Sequence, residues 1–535
     1  MKHSFTWKQK VNTLPLKKAL PFVLLLLGAL LRLISLSKVP GGYHQDEAFV
    51  ALNSFGLFHE GMDSAGLKFP IYMSSWGDGQ SAMYSWLLTP LLIFTKGVPS
   101  LFITRIPQVL IAILTLWCVY LLIKRMYGET PALWSLFLLS ICPWHVMMSR
   151  WGLDANMAPG FLMFALYFFL LGLEKNTYLP LSALFYGLSL YCYAVIWPIV
   201  PIIVALQIVY GLYHKKLTFN KWAYLSAGIL FVMALPLILF VLINGGYMEE
   251  ITLPFLTIPR TPGYRGAEVG FSLTTMWANM KNAARLFLFQ NTGSPYDVLL
   301  PWGLFYDIGR IFIVIGVCLL IYKVITCLWK KEFCFEYLIF VNLLGGVFIC
   351  LFTSVKVHQA NALFIPLVLS EGYGVWKLLE FLKSKKPVLR RICSIALISI
   401  YLLCLTLFQC QYYSSYKELV NAYFCIGLED CVKYALEQCE ETGLSTISAE
   451  KGTQWPRLLL FTETLPSQYI TTREYDVAPA PGSFVTADGI RINTRINYET
   501  INDETIYIIY YTDVEKFWDD FHMTQFHDWF VAVPK

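Results

Sequence analysis

Residues 19–47 read ALPFVLLLLGALLRLISLSKVPGGYHQDE, an apolar run that leads into a glycine pair and two adjacent acids. The run Ala19–Leu36 follows five lysines, and lysines flanking an apolar segment indicate its cytoplasmic end. Because Arg32 interrupts the run and no small-residue cleavage site follows it, we interpret the run as a retained membrane anchor. Asp46 and Glu47 then lie just beyond the predicted end of the membrane span. A carboxylate is costly to desolvate there, so we expect these side chains either to stay hydrated or to have a function.

The composition is that of a polytopic membrane protein. Apolar residues make up 56% of the chain and charged residues only 14%, whereas soluble domains carry about 25% charged residues. The segment from Cys410 to the end has nine Lys and Arg against nineteen Asp and Glu, a net charge of −10, and the preceding part has a net charge of +15. This break predicts two domains, a membrane domain over residues 1–409 and a C-terminal domain over residues 410–535.

Apolar runs of suitable length predict eleven membrane spans. Besides the first run, the candidates are Phe102–Ile123, Pro131–Ser149, Met157–Leu173, Tyr178–Tyr193, Val195–Tyr213, Trp222–Ile243, Ile308–Trp329, Tyr337–Phe352, Ala360–Phe381 and Ile392–Phe408. The run Ser81–Thr95 is short and contains Pro90. If it does not cross, the basic clusters between spans all lie in the cytoplasm, so the positive-inside rule predicts a re-entrant or surface helix there.

This topology predicts a cytoplasmic N-terminus, long external loops at residues 37–101 and 244–307, and an external C-terminal domain. In the C-terminal domain, Leu428–Glu441 has apolar residues at helical spacing, and Thr505–Tyr511 and Asp528–Val533 have strand character. The predicted fold class is therefore an all-α polytopic membrane protein with a small α/β domain. Cys425, Cys431 and Cys439 in this domain leave one disulfide or free thiols as equal alternatives.

Asp46 and Glu47 are the first candidate catalytic residues. Gly41-Gly42 permits a sharp turn, His44 lies alongside, and a partly desolvated carboxylate is suited to act as a general base. The alternative is a solvated acidic pair in a loop. A structural role or a divalent cation at Glu47 also stays open.

The second candidate stretch is Pro143–Pro159, PWHVMMSRWGLDANMAP. Arg150 and Asp154 are four residues apart, so they can pair on a helix. Alternatively, Arg150 or His145 contacts a phosphate, since guanidinium geometry suits phosphate oxygens.

A third group consists of cations on the predicted external side, where the positive-inside bias disfavours them. Arg260 and Arg265 lie in the loop 244–307, and Lys356 and His358 precede Asn361 in the stretch Asn361–Pro366, NALFIP. A substrate phosphate and the lipid headgroup surface are the two alternatives for their partner.

Three further features of the sequence are not assigned to the candidate site. Asp78 is predicted to cap the helix at Ser81–Thr95. Gly372 and Gly374 lie inside a span and indicate helix packing. Glu371, in the middle of the same span, is a functional candidate without an identified partner. The sequence contains no phosphate-binding loop, dinucleotide fingerprint or HExxH motif, and nothing in it points to nucleic acid.

The Asp46-Glu47 motif, the Pro143–Pro159 stretch and the Asn361–Pro366 stretch resemble the C-type glycosyltransferases, in particular bacterial family 39 enzymes of the protein O-mannosyltransferase and aminoarabinose-transferase type. The resemblance covers roughly residues 20–381. It implies a sugar donor linked to polyprenyl phosphate, with Asp46 as base and Asp154 as the acid of the second external loop. Some relatives carry an arginine in the late-span motif, where this chain has Gln359 or Asn361.

The predicted reaction is inverting transfer of a sugar from a polyprenyl-phosphate donor to an acceptor hydroxyl of a protein, lipid or glycan at the outer face of the membrane. Arg150 and one of Arg260, Arg265 or Lys356 are expected to stabilise the leaving phosphate. The alternatives are a transporter or lipid-linked sugar flippase, and a non-catalytic scaffold. A transporter predicts charged pairs in mid-span and an internal repeat, and only Glu371 fits the first condition.

Overall fold

The computed structural model describes residues 13–74, 79–264, 272–353, 355–450, 454–475, 481–517 and 519–535. Within them, fifteen helices precede the C-terminal domain. In chain order they are α1 Thr13–Leu33, α2 Gln45–Glu60, α3 Met83–Leu88, α4 Leu101–Tyr127, α5 Glu129–Ile141, α6 Pro143–Met148, α7 Ala158–Glu174, α8 Leu179–Leu190, α9 Ile199–Tyr213, α10 Lys221–Asn244, α11 Leu273–Phe289, α12 Asp307–Lys330, α13 Glu336–Phe352, α14 Val357–Lys385 and α15 Pro387–Ser414.

Ten of the eleven predicted spans each coincide with one of these helices, and the eleventh, Pro131–Ser149, is divided at Cys142 between α5 and α6. The predicted fold class is confirmed. The helices that do not correspond to a span are α2, α3 and α11. By length and composition, seven of the described helical segments are apolar enough to cross a membrane, and α5 and α13 are shorter apolar helices. The predicted boundary between residues 409 and 410 falls in the last turns of α15.

The segment Ser81–Thr95 forms the short helix α3 and a 3-10 helix, Thr89–Thr95. Pro90 is at the start of the 3-10 helix, where its missing N–H leaves no hydrogen bond unmade. At six and seven residues, the two pieces are too short to span a bilayer. Asp78, predicted to cap this helix, lies outside the described residues.

Glycines bring α14 against its neighbours in the helix bundle. A Cβ on Gly316 of α12 would lie 1.7 Å from the carbonyl oxygen of Ser370, and one on Gly374 would lie 2.5 Å from that of Phe312. A Cβ on Gly372 would meet the side chain of Ser135 on α5 at 2.6 Å. These contacts confirm that Gly372 and Gly374 serve helix packing, because small residues let backbones approach closely.

Glu371 acquires a partner that the sequence did not identify. Its Oε1 accepts a hydrogen bond from the hydroxyl of Tyr401 on α15 at 2.5 Å, and the carboxyl is buried. A buried polar group is stable when it is hydrogen-bonded. Glu371 therefore joins α14 to α15 at this level of the bundle.

Two small hairpins lie between the helices. One pairs β1, Tyr72–Met73, with β2, Gln80–Ser81, and the other pairs β3, Ile251–Leu253, with β4, Leu256–Ile258. The amide of Ile71 donates to the carbonyl of Thr257, so the two loops predicted to be external meet at one face of the bundle.

The C-terminal domain has four helices and a six-stranded mixed sheet among its described residues. The elements are α16 Tyr416–Phe424, α17 Leu428–Thr442, β5 Thr446–Ala449, α18 Trp455–Phe461, α19 Pro466–Thr472, β6 Ser483–Val485, β7 Arg491–Asn493, β8 Ile506–Tyr510, β9 Phe521–Phe526 and β10 Trp529–Pro534, in the strand order β6-β7-β5-β8-β10-β9. The predicted helix and both predicted strands are present, and Cys425, Cys431 and Cys439 are buried free thiols.

The domain docks on the first loop through a shared apolar core. Phe49 and Leu52 of α2 are buried with Leu458 of α18 and Ile447 of β5. A Cβ on Gly42, which has a φ of +68°, would lie 2.2 Å from the carbonyl oxygen of Phe424, so a glycine is needed at position 42, where the turn meets the end of α16. The turn that carries Asp46 is thus held against the C-terminal domain.

Candidate active site

Asp46 and Glu47 occupy the first turn of α2. His44 caps this helix: its Nδ1 accepts a hydrogen bond from the amide of Asp46 at 3.3 Å. Acidic side chains in a first turn are stabilised by the helix dipole. Successive residues on a helix point about 100° apart, so the two carboxylates face different surroundings.

Glu47 is fully buried and forms a bidentate ion pair with Arg105 of α4. The Nε of Arg105 lies 2.7 Å from Oε1, and Nη2 lies 2.9 Å from Oε2. The amide of Gly152 also donates to Oε1, at 2.8 Å, and a Cβ on Gly152 would crowd the Cγ of Glu47 at 3.3 Å. The carboxylate of Glu47 is therefore engaged at both oxygens.

Arg105 is a key residue that the sequence analysis missed. Besides Glu47, it donates to the carbonyls of Leu36, Pro40 and Gly42 at 2.6–2.8 Å. It thus fixes the whole segment between the first span and α2. The available signal was an arginine near the end of a predicted apolar span, where an ionisable group is costly unless it has partners.

The carboxylate of Asp46 is the one of the pair that reaches solvent, with a side-chain exposure of 15%. Its Oδ2 lies 3.5 Å from Nδ1 of His44. The ring of His44 packs against Trp151, Tyr296 and Phe424, with centroid distances of 4.8, 5.1 and 5.4 Å. Burial lowers the pKa of His44, with the charge of Asp46 opposing this shift, so the imidazole is neutral and Nδ1 is an acceptor.

The C-terminal domain covers this site from one side. The side-chain amide of Gln454 (Nε2) donates to the side-chain Oε1 of Gln45 at 2.6 Å. Arg457, buried on α18, donates to the carbonyls of Tyr43 and Tyr423 at 2.9 and 2.8 Å. Asp46 therefore lies at the junction of the first loop and the C-terminal domain.

Asp154 lies in the turn before α7 and is 3% exposed. Its carboxylate accepts hydrogen bonds from the amides of Ser81 at 2.9 Å and Ala155 at 2.8 Å. The side-chain amide of Asn361 donates to the carbonyl of Ala155 at 2.6 Å. Asp154 and Asn361 are thereby brought together at this turn, which joins β2, α7 and α14.

Arg150 is fully buried, and the structure places it against the end of α1. Its guanidinium donates to the carbonyls of Leu31, Ile34, Ser35 and Val39 at 2.8–3.3 Å. Leu31 is in the last turn of α1, whose carbonyls have no intrahelical partner, and the other three carbonyls belong to the segment that follows the helix. Tyr412 and Tyr413 flank the group with centroid distances of 5.5 and 5.7 Å.

His145 serves a similar contact deeper in the bundle. Its Nδ1 lies 2.5 Å from Nη2 of Arg32, which also donates to the carbonyls of Gly28, Leu139 and Ser140. The two polar residues are buried. This contact joins α1 to the α5–α6 turn, so His145 and Arg150 both hold α1 in place.

Lys356 is exposed and stands at the N-terminus of α14, where its main-chain amide donates to Oε1 of Gln359 at 3.3 Å. Lys356 interacts electrostatically with Asp297, a buried residue in the loop before α12. Burial raises the pKa of Asp297 to about 7, with Lys356 opposing this shift. Tyr296, the neighbour of Asp297, contacts the ring of His44, so Lys356 belongs to the same region as Asp46.

The remaining predicted residues lie at varying distances from this centre. His358 is half-buried in the first turn of α14, with its ring 6.3 Å from that of Tyr193. Arg260 is half-exposed and donates to the carbonyl of Met248 at 2.9 Å, with Glu249 at 3.4 Å. Arg265 lies outside the described residues.

Within the part of the chain that the structure describes, no group of three His, Cys, Asp or Glu side chains is arranged to hold a metal ion. For the divalent cation left open at Glu47, the donor set does not fit. A second cation, Arg105, already occupies both carboxylate oxygens, and like charges at this distance repel.

Comparisons with known proteins place this arrangement in a fold family. Residues 80–240 match the family model described as dolichyl-phosphate-mannose-protein mannosyltransferase. The structure of ArnT from Cupriavidus metallidurans in the apo state matches with a TM-score of 0.51 and 11% identity, over 97% of each chain. The chain has the fold of a C-type membrane glycosyltransferase. The resemblance deduced from the sequence is confirmed.

Two further solved structures are similar to this C-type chain. ArnT from Cupriavidus metallidurans bound to undecaprenyl phosphate has a TM-score of 0.50 and 11% identity, over 98% of each chain. The oligosaccharyltransferase AglB from Archaeoglobus fulgidus, in complex with an inhibitory peptide and a dolichol-phosphate, has a TM-score of 0.46 and 12% identity. That match covers 85% of this chain, which spans 64% of the archaeal protein.

No curated protein sequence matches the chain. The family match and the fold confirm the predicted enzyme class, a membrane glycosyltransferase, and give no support to the transporter or flippase alternative.

Proposed function

We propose that this protein is an inverting glycosyltransferase that moves a sugar from a polyprenyl-phosphate donor to an acceptor hydroxyl, with Asp46 as the general base. The observation that carries the proposal is that the two adjacent acids have different surroundings. Glu47 is neutralised by Arg105 in the interior, while Asp46 is partly exposed at the junction of two domains.

In the proposed reaction, Asp46 accepts the proton of the acceptor hydroxyl as its oxygen attacks the anomeric carbon. The bond between that carbon and the phosphate oxygen breaks, and polyprenyl phosphate leaves with the electron pair. Attack opposite the leaving group inverts the configuration at the anomeric carbon. A positioned base contributes about 10²–10⁴-fold to such a step.

The leaving phosphate gains negative charge, and we place it near Lys356. This lysine is exposed at the N-terminus of the 29-residue helix α14, where a helix end and a cation both favour an anion. Its interaction with Asp297 puts it on the side of Tyr296 and His44. The half-exposed Arg260 is a further cation, and His358 a further hydrogen-bonding group, for the phosphate or the headgroup surface.

The other predicted site residues act as positioning residues in this proposal. Glu47, through Arg105, fixes the turn that presents Asp46. Arg150 and His145 hold the end of α1. Asp154 and Asn361 set the turn between β2, α7 and α14.

Two comparisons support a lipid-linked sugar donor. The family model is named for dolichyl-phosphate-mannose, and one similar ArnT structure is bound to undecaprenyl phosphate. An enzyme at the outer face has no nucleotide sugar available, so a membrane lipid has to carry the activated sugar. The outer location follows from the basic clusters between the spans.

The test is sugar transfer in membranes that contain the protein, supplied with labelled polyprenyl-phosphate sugars. Asp46→Asn keeps the shape of the side chain and removes the base, and we expect transfer to fall at least 100-fold. Glu250→Gln, an exposed carboxyl of the second long external loop, is the matched control and keeps wild-type transfer. Equal transfer by Asp46→Asn and wild type contradicts the assignment of the base. Movement of intact lipid-linked sugar across the membrane without transfer contradicts the enzyme.

A further inference from the structure

The sheet of the C-terminal domain has an unusual distribution of polar residues over its two faces. One face is apolar: Ile447, Phe484 and Ile492 are buried in the core that also contains α18 and α2. On the opposite face, the first three strands carry Ser448 on β5, Ser483 on β6, and Arg491 and Asn493 on β7. Side chains alternate between faces along a strand, so this polar face is the one that points away from α2.

The strand register places these polar side chains next to one another. Asn493 pairs with Ser448 on one side and with Ser483 on the other. The side-chain amide of Asn493 donates to the hydroxyl of Ser448 at 2.9 Å, and Arg491 donates to that of Ser483 at 3.0 Å. The row therefore forms a continuous hydrogen-bonding surface across three strands.

The rest of this face of the sheet is covered by an apolar cluster. On β8, Tyr507 and Ile509 are buried beneath Val514 and Phe517. This apolar cluster ends at the segment 495–505. Beside that segment, a cavity of about 270 Å³ lies over the polar face of β5, β6 and β7. The wall of the cavity on this side consists of polar residues of that segment, Arg495, Asn497, Thr500, Asn502 and Thr505.

Charged groups are fixed at the edge of this cavity. Glu474 and Arg491 form a bidentate ion pair with two contacts of 2.9 Å. Hydrogen bonds from Arg491 and Ser483 lower the pKa of Glu474, so it remains an acceptor. Arg495 supplies a second guanidinium. Two arginines against one glutamate make the cavity locally positive within a domain of net charge −10.

Most small-molecule sites are lined by apolar side chains with a few polar groups, and have volumes of about 300–1,000 Å³. This cavity is smaller and has the reverse composition, with amide, hydroxyl, guanidinium and carboxylate groups supplying both donors and acceptors. A ligand of one ring that carries several adjacent hydroxyls satisfies such a surface. A sugar unit has this chemistry.

We propose that this cavity, defined by Ser448, Ser483, Arg491, Asn493, Arg495 and Asn502, binds a saccharide unit of the acceptor. The proposal rests on the proposed function and narrows its acceptor to a glycan. The sheet and α18 separate the cavity from α2, so by the usual packing distances it lies roughly 20 Å from the catalytic turn. An acceptor that reaches both places is an extended oligosaccharide or polymer.

The direct test is binding of the full-length protein, fluorescently labelled in detergent, to an array of synthetic oligosaccharides of neutral hexose, N-acetylhexosamine and uronic acid units. We expect wild type and Asp46→Asn to bind the same glycans equally. Asn493→Leu removes the amide at the centre of the row and weakens binding at least tenfold. Gln525→Ala, on the exposed edge strand β9, is the matched control and binds as wild type does.

Thermal unfolding of each variant separates binding from folding, and Asn493→Ser is the gentler second variant if Asn493→Leu does not fold. Glycan binding that both Asn493 variants leave at the wild-type level overturns the proposal, as does a wild type that binds no glycan on the array. Because the array does not depend on sugar transfer, a wild type without transferase activity but with Asn493-dependent glycan binding refutes the proposed function and leaves the cavity assigned.

A kinetic measurement links the cavity to the reaction. With acceptors of increasing length, Asn493→Leu raises KM for long acceptors at least fivefold, leaves kcat unchanged, and leaves short acceptors unaffected. An equal loss for short and long acceptors indicates general damage to the enzyme and contradicts a distal subsite.

Discussion

Glu47 and Arg105 form a bidentate ion pair in which both side chains are fully buried, with contacts of 2.7 and 2.9 Å. The pair ties the first turn of α2 to α4, and Arg105 extends the connection to three carbonyls of the preceding segment. Of two neighbouring acids in the sequence, one is therefore part of the scaffold and the other remains available for chemistry.

We expect Glu47→Gln to destabilise the protein by about 3–5 kcal/mol, because it leaves the guanidinium of Arg105 buried without its counter-ion. The measurement is thermal unfolding in detergent. The double variant Glu47→Gln with Arg105→Met removes both charges and regains part of the loss. If Glu47→Gln unfolds at the temperature of wild type and loses only activity, Glu47 has a direct chemical role instead.

His44→Ala is expected to lower stability by about 1 kcal/mol, because the amide of Asp46 loses the acceptor that caps α2. His44→Asn restores a capping oxygen and should regain most of that stability. Thermal unfolding of the two variants checks this order. Identical unfolding of both variants shows that the cap contributes nothing measurable.

Lys356→Met is expected to raise KM for the polyprenyl-phosphate donor at least tenfold, since it removes a cation from the proposed phosphate site. Lys68→Met, an exposed lysine of the first loop, serves as the control and changes KM less than twofold. Steady-state transfer kinetics at saturating acceptor supply the measurement. An unchanged donor KM in Lys356→Met places the phosphate elsewhere, with Arg260 the next candidate.

Arg150→Lys is expected to cost about 3 kcal/mol or more, because a lysine cannot replace the planar fork that serves four carbonyls in the last turn of α1 and the segment after it. The loss appears as a lower unfolding temperature and reduced yield of folded protein. The folded fraction keeps the donor KM of wild type. A selective increase in donor KM with normal stability instead indicates contact with the phosphate.

Asp297 predicts a pH dependence of stability. Burial raises its pKa in the folded state from the ordinary 3.8 to about 7, so the folded protein binds this proton more tightly than the unfolded chain. The resulting stability is fully present below pH 3.8 and is lost as the pH rises to 7. Three pKa units correspond to at most about 4 kcal/mol.

Asp297→Asn should remove this component and flatten the stability profile between pH 4 and pH 7. Thermal unfolding across that range is the measurement, with Asp503→Asn, an exposed carboxyl, as the control that leaves the profile unchanged. A profile of Asp297→Asn identical to that of wild type shows that Asp297 titrates normally.

Much of the fold was predictable from the sequence because a membrane span depends on a local property. Roughly 20 consecutive apolar residues between polar flanks suffice to define one. Every predicted span is helical, although Pro131–Ser149 is broken at Cys142 into α5 and α6. The short pair at Tyr178–Tyr193 and Val195–Tyr213 appears as α8 and α9, joined by a turn. Composition likewise indicated the C-terminal domain, whose predicted helix and strands are present.

The candidate site was predictable only as a set of residue types in a region. His44, Asp46 and Lys356 are associated through Tyr296 and Asp297, neither of which the sequence singled out. Arg105 was missed because its partners lie 58 or more residues away along the chain. Side-chain chemistry predicted that Arg150 or His145 contacts a phosphate, or that Arg150 pairs with Asp154. It could not predict that Arg150 donates to main-chain carbonyls and that His145 faces Arg32.

By itself, therefore, the sequence determined the apolar spans, the polar loops between them and the presence of two adjacent acids at the first membrane exit. Only the tertiary structure decided which acid is which. Asp46 and Glu47 have nearly the same chemistry, but the turn of α2 points Glu47 to the guanidinium of Arg105 and leaves Asp46 partly exposed beneath the C-terminal domain. Electrostatic partners and solvent access are properties of the packed molecule, so no local pattern could assign them.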